Sequence, residues 1–371
     1  MLNGARSGIR PPAEPAVRAA VIGAGQIARQ HLACLKETAG IELAAVCDLS
    51  PSVAESTAQR FGIPSWYTDY RVMLDKIKPA VVHVTTPPPS HFRLSFDALE
   101  AGAHVILEKP ATATLAELEL LSNRANELGL TLIEDYNYLF NRSIRQILQK
   151  IESGEFGAVV HVDVLICLDI FGPDGFADPN TRHPVLSLAG GAIADFLPHL
   201  ASLAHVFLGP HQRAVSSWRK RRQSVLPYDE FHGVVDGERG TATLGFSANT
   251  QPNGFWVRVY GERMTAATNL FETRLTFDRV RNAPKPLQPL MNGFEEGGLV
   301  RRQAIKTFLQ KFGSGVGAYE GLWELLRRTY SALGRHTPLP VSREQVLAVN
   351  RLVDALKPTA EHRVVHREEQ P

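Results

Sequence analysis

The first third of the chain alternates short apolar runs with segments of helical periodicity. The runs are continuously apolar, which is typical of parallel strands covered on both faces, and they occupy residues 19–22, 41–48, 80–86 and 103–110. Helical patterns follow the first and third runs, to about residues 38 and 101. This alternation predicts an α/β fold with a doubly wound parallel sheet.

The pattern changes at about residue 144. A helical segment at 143–157 precedes a long alternating run, and further strand-like runs follow at 158–170, 213–220, 230–235, 241–248, 255–262 and 273–279. Tight turns separate several of these runs, which predicts a largely antiparallel, open sheet. Helical patterns return at 299–313, 317–333 and 343–357. We expect these helices to cover one sheet face or to pack back on the first half of the chain.

A glycine-rich turn joins the first strand to the first helix. Gly23 and Gly25 stand in GAGQIA, a G-x-G-x-x-A pattern that lets backbone N–H groups approach a diphosphate at a helix N-terminus. The second strand ends at Asp48, where a carboxylate accepts hydrogen bonds from an adenosine ribose. Leu49 and Ser50 offer no positive charge for a 2′-phosphate, so NAD is favoured over NADP. The alternative role for Asp48 is that of a turn residue at the strand end.

These patterns divide the chain into four regions. We predict a disordered arm at 1–16, a Rossmann dinucleotide-binding domain at 17–140, an α+β domain for substrate binding and oligomerisation at 141–357, and a polar tail at 358–371. The length of 371 residues agrees with two domains.

The segment GGAIADFLPH at 190–199 places a carboxylate and an imidazole, Asp195 and His199, in an apolar stretch. Two interpretations are open. In the first, Asp195 is the N-cap of a helix that begins at the next residue, and Pro198 is tolerated in the first turn. In the second, the helix begins near residue 192, the two side chains share one face, and Pro198 kinks the helix.

Lys109 ends an apolar strand, within the segment LEKP. Ligands of doubly wound sheets bind at the carboxyl ends of the strands, so this position suits a functional lysine. The alternative is a lysine that is simply solvated.

Composition narrows the choice of partners. The formal net charge is +2 and no basic stripe occurs, so we expect no nucleic acid partner. No apolar run approaches the length of a membrane span and the first residues lack a signal peptide pattern, so we expect no membrane association. The three cysteines are far apart and show no metal-ligand spacing, which predicts no metal site and fits the cytoplasm.

Four segments together resemble the glucose–fructose oxidoreductase and inositol dehydrogenase family (Gfo/Idh/MocA). They are VIGAGQIARQH, TTPPPSH, AGAHVILEKP and GGAIADFLPH, which occur in this order and at suitable separations. The resemblance implies that Lys109, Asp195 and His199 meet beside a nicotinamide ring, and that the Lys109–Pro110 peptide is cis. One departure is Leu139-Phe140, where members of the family often carry Arg-Phe.

The resemblance also implies which residues bind the cofactor: Gly23, Gly25, Gln26, Ile27, Asp48, Thr86, Pro87, His91, Glu108 and Lys109. Arg182 and His183 lie in a long, turn-rich segment before the Asp195 region, and we name them as substrate contacts. The alternative for both is a solvated loop.

These features predict an NAD-dependent oxidoreductase that acts on a secondary alcohol of a sugar, polyol or sugar derivative. His199 would accept the alcohol proton, Lys109 would stabilise the developing alkoxide, and Asp195 would bind substrate or balance their charge. Two alternatives stay open: an NAD-dependent glycosidase of the same family, and a ligand sensor without catalysis on the same fold.

The second sheet predicts a homodimer or homotetramer. In 241–248, the residues Ala242, Leu244, Phe246 and Ala248 share one side, and in 255–262 Phe255, Val257 and Val259 do likewise. Trp256, Arg258 and Tyr260 then point to the opposite side, with the composition of an interface. Members of the resembled family similarly associate through this face.

Overall fold

The computed structural model describes residues 16–172, 175, 177, 184–272, 274–313 and 319–358. The predicted arm at 1–16, apart from its last residue, and the predicted tail at 358–371, apart from its first, lie outside the described residues. Arg182 and His183 also lie outside them.

A six-stranded parallel sheet forms the first half of the fold. Its strands are β1 (Val17–Ile22), β2 (Ile41–Cys47), β3 (Ser65–Tyr67), β4 (Val81–Val84), β5 (His104–Leu107) and β6 (Leu132–Glu134), and their spatial order is β3-β2-β1-β4-β5-β6. Every pairing in this sheet is parallel. The order reverses between β1 and β4, which confirms the doubly wound α/β fold and marks the crevice where such sheets bind ligands.

Helices cover both faces of this sheet. They are α1 (Gln26–Glu37), α2 (Pro51–Phe61), α3 (Tyr70–Ile77), α4 (His91–Glu100) and α5 (Leu115–Glu127). Local signals set their starts: Asp69 caps α3, and Thr114 with Glu117 forms a reciprocal capping box at α5. The strands between them are apolar on both sides because both faces are buried.

The second sheet has seven strands: β7 (Val159–Cys167), β8 (His211–Arg219), β9 (Glu230–Gly237), β10 (Gly240–Ser247), β11 (Gly254–Gly261), β12 (Met264–Asn269) and β13 (Arg274–Arg279). Their order is β13-β12-β11-β7-β10-β9-β8. All neighbours are antiparallel except β7 and β10, which are parallel. The prediction of a largely antiparallel open sheet is confirmed, although β12 was not among the predicted strands.

The two faces of this sheet differ as the alternation predicted. The inner side chains Ala242, Leu244, Phe246, Ala248, Phe255, Val257 and Val259 are all buried. The outer face carries Trp256, Arg258 and Tyr260, which line an open cleft of about 830 Å³.

Helix α7 (Gly191–Leu208) lies against the inner face, in contact with β7, β10 and β9. Helix α6 (Arg142–Glu152) precedes β7 in the chain. Contrary to the expectation from the sequence, helix α7 has the length and hydropathy of a membrane span, but 72% of it is buried inside the fold, as in a core helix.

Helix α7 decides between the two interpretations of Asp195. It begins at Gly191, so Asp195 lies in its second turn and is not its N-cap, and Pro198 lies inside the helix. Gly191 has a φ of +57°, and a Cβ there would approach Pro227 to 3.1 Å. A glycine can therefore start the helix earlier than the nearest capping side chain would indicate.

The C-terminal helices return to both sheets, as expected. Helix α9 (Glu320–Arg335) packs Leu322, Leu326 and Tyr330 into the core around α1, and α10 (Arg343–Leu356) lies against α5 and α7. Helix α8 (Leu287–Gly313) begins twelve residues before its predicted start at 299. Its early turns are held beside β13 by hydrogen bonds such as Arg279–Glu295 (2.8 Å), which the periodicity does not reveal.

Candidate active site

The turn after β1 has the geometry of a phosphate-binding loop. Gly23 has a φ of +94°, and a Cβ there would lie 2.8 Å from Thr86 and 2.9 Å from the backbone of Thr85. Gly25 is the N-cap of α1, and no side chain hydrogen-bonds to the free N–H groups there as a cap. A Cβ added to Gly25 would have no atom within 4 Å. The first N–H groups of α1, from Gln26 and Ile27 onward, therefore face open space, which suits a diphosphate.

Asp48 lies directly beside this turn. Its carboxylate accepts hydrogen bonds from the backbone N–H of Ala24 (2.9 Å) and of Ser50 (2.9 Å). Both predicted roles therefore meet in one residue, because Asp48 shapes the turn and also places a negative charge next to it. Leu49, the next residue, is 92% exposed and brings no positive charge.

His91 joins the loops at the carboxyl ends of β4 and β5. One ring nitrogen lies 2.7 Å from the carbonyl oxygen of Thr86, and the other lies 2.9 Å from that of Pro110. His91 is fully buried, so its contacts position the two loops. Thr86 and Pro87 remain partly exposed or exposed at the loop surface. The Lys109–Pro110 peptide is cis, as the resemblance implied.

Lys109 reaches across from the first sheet to α7. Its Nζ donates to Asp195 Oδ2 (2.7 Å) and to the Asp195 carbonyl oxygen (3.2 Å). The ammonium group also lies 5.6 Å from the ring centre of Phe196. Burial works to lower the pKa of Lys109, but Asp195 and Glu108 outweigh it and the pKa is raised. Lys109 is therefore a cation at neutral pH.

His199 follows Asp195 by about one turn of α7. Its side chain is buried, and the ring of Tyr138 meets it edge-on at a centroid distance of 4.7 Å. Its Nδ1 is buried and has no hydrogen-bond partner. Burial, and then the charge of Lys109, lowers the pKa of His199 well below 6.5. The imidazole is therefore neutral at physiological pH and free to accept a proton.

The structure thus brings Lys109, Asp195 and His199 together at the carboxyl edge of the first sheet. A fixed cation can stabilise developing negative charge on an oxygen, and a neutral imidazole can take its proton. Leu139 and Phe140, where the sequence departs from the family pattern, directly follow Tyr138, the residue that contacts His199. Both side chains are buried in the core.

A second cluster of polar residues lies behind Lys109, and most of its members were missed by the sequence analysis. Glu108 Oε1 bonds His31 Nε2 (2.9 Å), His31 Nδ1 lies 2.8 Å from His83 Nδ1, and His83 Nε2 lies 2.8 Å from the Tyr330 hydroxyl. Asp135, which directly follows β6, has a carboxyl oxygen within 4.8 Å of ligand atoms of both Glu108 and His31. We call these five residues the rear cluster. The missed signal was two histidines, at 31 and 83, at apolar positions of α1 and β4.

The members of the rear cluster are held close together by contacts with one another. His31, Glu108 and Asp135 each offer one ligand atom within 4.8 Å of the others, but the His31–Glu108 hydrogen bond and the Glu108–Asp135 contact explain this proximity without a cation. Beside the cluster, Glu134 accepts hydrogen bonds from Tyr136 (2.6 Å) and from the N–H of Ala111 (3.1 Å). Burial raises the pKa of Glu134 to about 7.

The outer cleft of the second sheet is separate from this site. Its polar centre is Asp163, which accepts a hydrogen bond from Tyr260 (2.9 Å) and contacts His161 (3.0 Å). The lining of the cleft does not include Lys109, Asp195 or His199.

Known protein families match both halves of the chain. The family model described as the oxidoreductase family, NAD-binding Rossmann fold (GFO_IDH_MocA) matches residues 17–136, and the GFO/IDH/MocA C-terminal domain model matches residues 144–267. A dTDP-3,4-didehydro-2,6-dideoxy-alpha-D-glucose 3-reductase of Saccharopolyspora spinosa is 31% identical over 316 residues, which is 81% of this chain and 89% of that protein.

Two further proteins are similar over different extents. D-glucoside 3-dehydrogenase of Escherichia coli is 31% identical over 194 residues, which is 52% of this chain and only 54% of that protein. The solved structure of a levoglucosan dehydrogenase, in complex with NADH and levoglucosan, superimposes with a TM-score of 0.76 at 18% identity. That match covers 92% of this chain and 96% of the solved chain, and it shows that the two share a fold.

Proposed function

This chain belongs to the Gfo/Idh/MocA family of oxidoreductases, and on that premise we propose that it transfers hydride between NAD and a secondary ring alcohol of a sugar or sugar derivative. The observation that carries the proposal is the cluster of Lys109, Asp195 and His199 at the carboxyl end of β5, the strand next to β4 in the first sheet. Two of the relatives act, by their names, at carbon 3 of a hexose, so hydroxyl groups at that position are the first to test.

The cofactor would be held by the residues that the open turn presents. The N–H groups at the start of α1 would hold the diphosphate, for which Gly25 leaves room, and Asp48 would accept hydrogen bonds from the adenosine ribose. Bound NAD supplies the acceptor for a hydride from the alcohol carbon. Asp48 repels a 2′-phosphate, and this charge supports NAD over NADP.

His199 is the proposed general base. Its neutral imidazole takes the alcohol proton in oxidation and returns it in reduction. Lys109 stays protonated and stabilises the oxygen as negative charge develops on it. Asp195 holds Lys109 in place at 2.7 Å and balances its charge, so that the site can bind a neutral sugar.

We propose that copies of the chain associate through the outer face of the second sheet. That face presents Trp256 and Tyr260 beside Arg258, and side chains of this kind anchor protein interfaces. Light scattering of the full chain should give a multiple of 40.8 kDa; a monomer at micromolar concentration would contradict this. The three free, buried thiols support a cytoplasmic location.

The decisive experiment is to identify the nucleotide that co-purifies with the protein by mass spectrometry, and then to assay hexosides, nucleotide sugars and polyols with it. The proposal expects one NADH formed per alcohol oxidised. Cleavage of a glycoside without net NADH would instead favour the glycosidase alternative. Binding of NAD and sugar without turnover of any panel member would favour the sensor.

A further inference from the structure

Two buried carboxyl groups face each other behind Lys109. Glu108 ends β5 and is 6% exposed, and Asp135 follows β6 and is 2% exposed. One carboxyl oxygen of Glu108 and one of Asp135 lie within 4.8 Å of each other. Two buried carboxylates this close repel each other, which favours a proton on one of them. The pair therefore holds one proton and one negative charge.

The surrounding contacts place the proton on Asp135. Glu108 Oε2 accepts a hydrogen bond from the N–H of Lys109 (3.3 Å) and its Oε1 lies 2.9 Å from His31 Nε2, so both oxygens of Glu108 have partners. Among the residues that the structure describes, no N–H or hydroxyl group donates to the Asp135 carboxyl group, and its Oδ1 is buried without a hydrogen-bond partner. Burial, and then the charge of Glu108, raises the pKa of Asp135 well above its ordinary value.

Other ionisable groups face the pair from every neighbouring element. Lys109 adjoins it and lowers the pKa of Asp135, whereas Glu134 on β6 raises it. His31 on α1 continues to His83 on β4 and to Tyr330 on α9. Asp195 on α7 lies 2.7 Å from Lys109, and Tyr138 packs against His199. Glu134 is the rival group, because its pKa of about 7 also places its titration near neutrality.

We propose that Asp135 keeps its proton while the site is empty or holds NADH, and releases it to solvent when NAD+ binds. This inference rests on the proposed function. The nicotinamide ring of NAD+ carries a positive charge and that of NADH does not, so only the oxidised form favours the carboxylate of Asp135. Asp135 is thus a positioning residue that adjusts the charge behind Lys109 to the redox state of the cofactor.

The linkage has a measurable consequence. Where Asp135 is protonated in the free protein and ionised in the NAD+ complex, NAD+ affinity rises by up to tenfold per pH unit. The affinity for NADH has no such contribution. The preference of the protein for oxidised over reduced cofactor therefore increases with pH in that window.

Isothermal titration calorimetry of the full chain tests this directly. Nucleotide is titrated in buffers of different ionisation enthalpy, and the buffer dependence of the heat counts the protons released. We expect NAD+ binding to release up to one proton and NADH binding to release none. Asp135→Asn should abolish the release and flatten the pH dependence of the NAD+ dissociation constant, because asparagine can donate to Glu108 but has no proton to lose.

Glu134→Gln is the matched control, since it neutralises the neighbouring buried acid and should leave the release intact. Loss of the release in Glu134→Gln but not in Asp135→Asn would assign the proton to Glu134 and overturn the proposal. Equal release with NAD+ and NADH, or no release with either in the unmodified chain, would overturn it without any variant. Failure to bind either nucleotide would instead refute the proposed function.

Discussion

Glu108 and Lys109 are consecutive residues, yet they belong to two clusters of different character. Lys109 reaches forward to Asp195 on α7, where His199 has an unpaired nitrogen and the Lys109 and Asp195 side chains are 17% and 21% exposed. Glu108 reaches back to His31 on α1, within the rear cluster, whose hydrogen bonds are mostly made among its own members.

The difference shows how one strand end can serve chemistry and stability together. The front cluster joins elements of both sheets and leaves hydrogen-bonding capacity for a substrate. The rear cluster connects α1, β4, β5 and α9, and most of its hydrogen-bonding groups are already paired with one another. Substitutions in front should therefore change the rate per folded molecule, and substitutions behind should change the stability.

The largest effect is expected from Lys109→Ala. Loss of the cation removes the group that stabilises the developing alkoxide, so turnover should fall by at least about 10²–10⁴-fold. Cofactor binding is also expected to weaken, because Lys109 sits at the strand end beside the proposed cofactor site. Stopped-flow measurement of NADH formation, with the nucleotide dissociation constant measured separately, checks both parts. Turnover within tenfold of the unmodified chain would remove Lys109 from the mechanism.

His199→Ala should slow the chemical step by roughly 10²–10⁴-fold and leave NADH binding intact. The pKa of His199 lies well below 6.5, so kcat/KM for oxidation should stay level as pH falls to about 6.5 and decline only below it, when the imidazole becomes protonated. This acid limb should disappear or move in the variant. If His199→Ala keeps near-normal turnover on an established substrate, Lys109 becomes the candidate base.

Asp195→Ala separates a structural role from a positioning role. Because α7 begins at Gly191, no helix cap is lost, and the melting temperature should barely change. Lys109 loses its 2.7 Å partner, and we expect the rate to fall by roughly 10–100-fold, or about 1.4–2.7 kcal/mol of transition-state stabilisation. A drop in melting temperature with an unchanged rate would show that the residue only supports the fold.

His83→Phe tests the rear cluster. It removes the bonds to His31 and Tyr330 and should lower the free energy of unfolding by about 1–3 kcal/mol, with little change in rate per folded molecule. Burial holds the pKa of His83 well below 6.5 in the folded protein. Below pH 6.5, His83 therefore becomes protonated in the unfolded chain but stays neutral in the folded chain. The difference in free energy of unfolding between the unmodified chain and the variant should therefore shrink as pH falls from 7.5 toward 5.5, by up to about 1.4 kcal/mol per pH unit. Urea unfolding at several pH values measures this, and a constant difference would contradict it.

The smallest effect concerns Asp48→Ser. Removing the charge beside the glycine turn should narrow the preference for NADH over NADPH by about tenfold, or about 1.4 kcal/mol. Glu42→Ser is a matched control, because it removes an exposed acid from the same strand, away from the turn. Fluorescence titration of both nucleotides decides it. Equal affinities in the unmodified chain would direct attention to Arg29 as a receptor for the phosphate.

Much of this protein follows from its sequence because the relevant physics is local. Continuous apolar runs require burial on both faces, glycines at 23 and 25 permit the turn, and alternation at 255–260 assigns each side chain to one face of a sheet. The front residues were also predictable, because Lys109, Asp195 and His199 each interrupt an otherwise apolar segment, and the four matching motifs linked them.

The tertiary structure decided what depends on contacts between distant residues. The start of α7 is set by Gly191 fitting beside Pro227, and the early turns of α8 are held by β13. The rear cluster joins residues 31, 83, 108, 135 and 330, whose contacts form only when three strands and two helices converge. Sequence periodicity marks a position as buried, but a buried histidine or acid is stable only with partners, and the fold alone determines which partners those are.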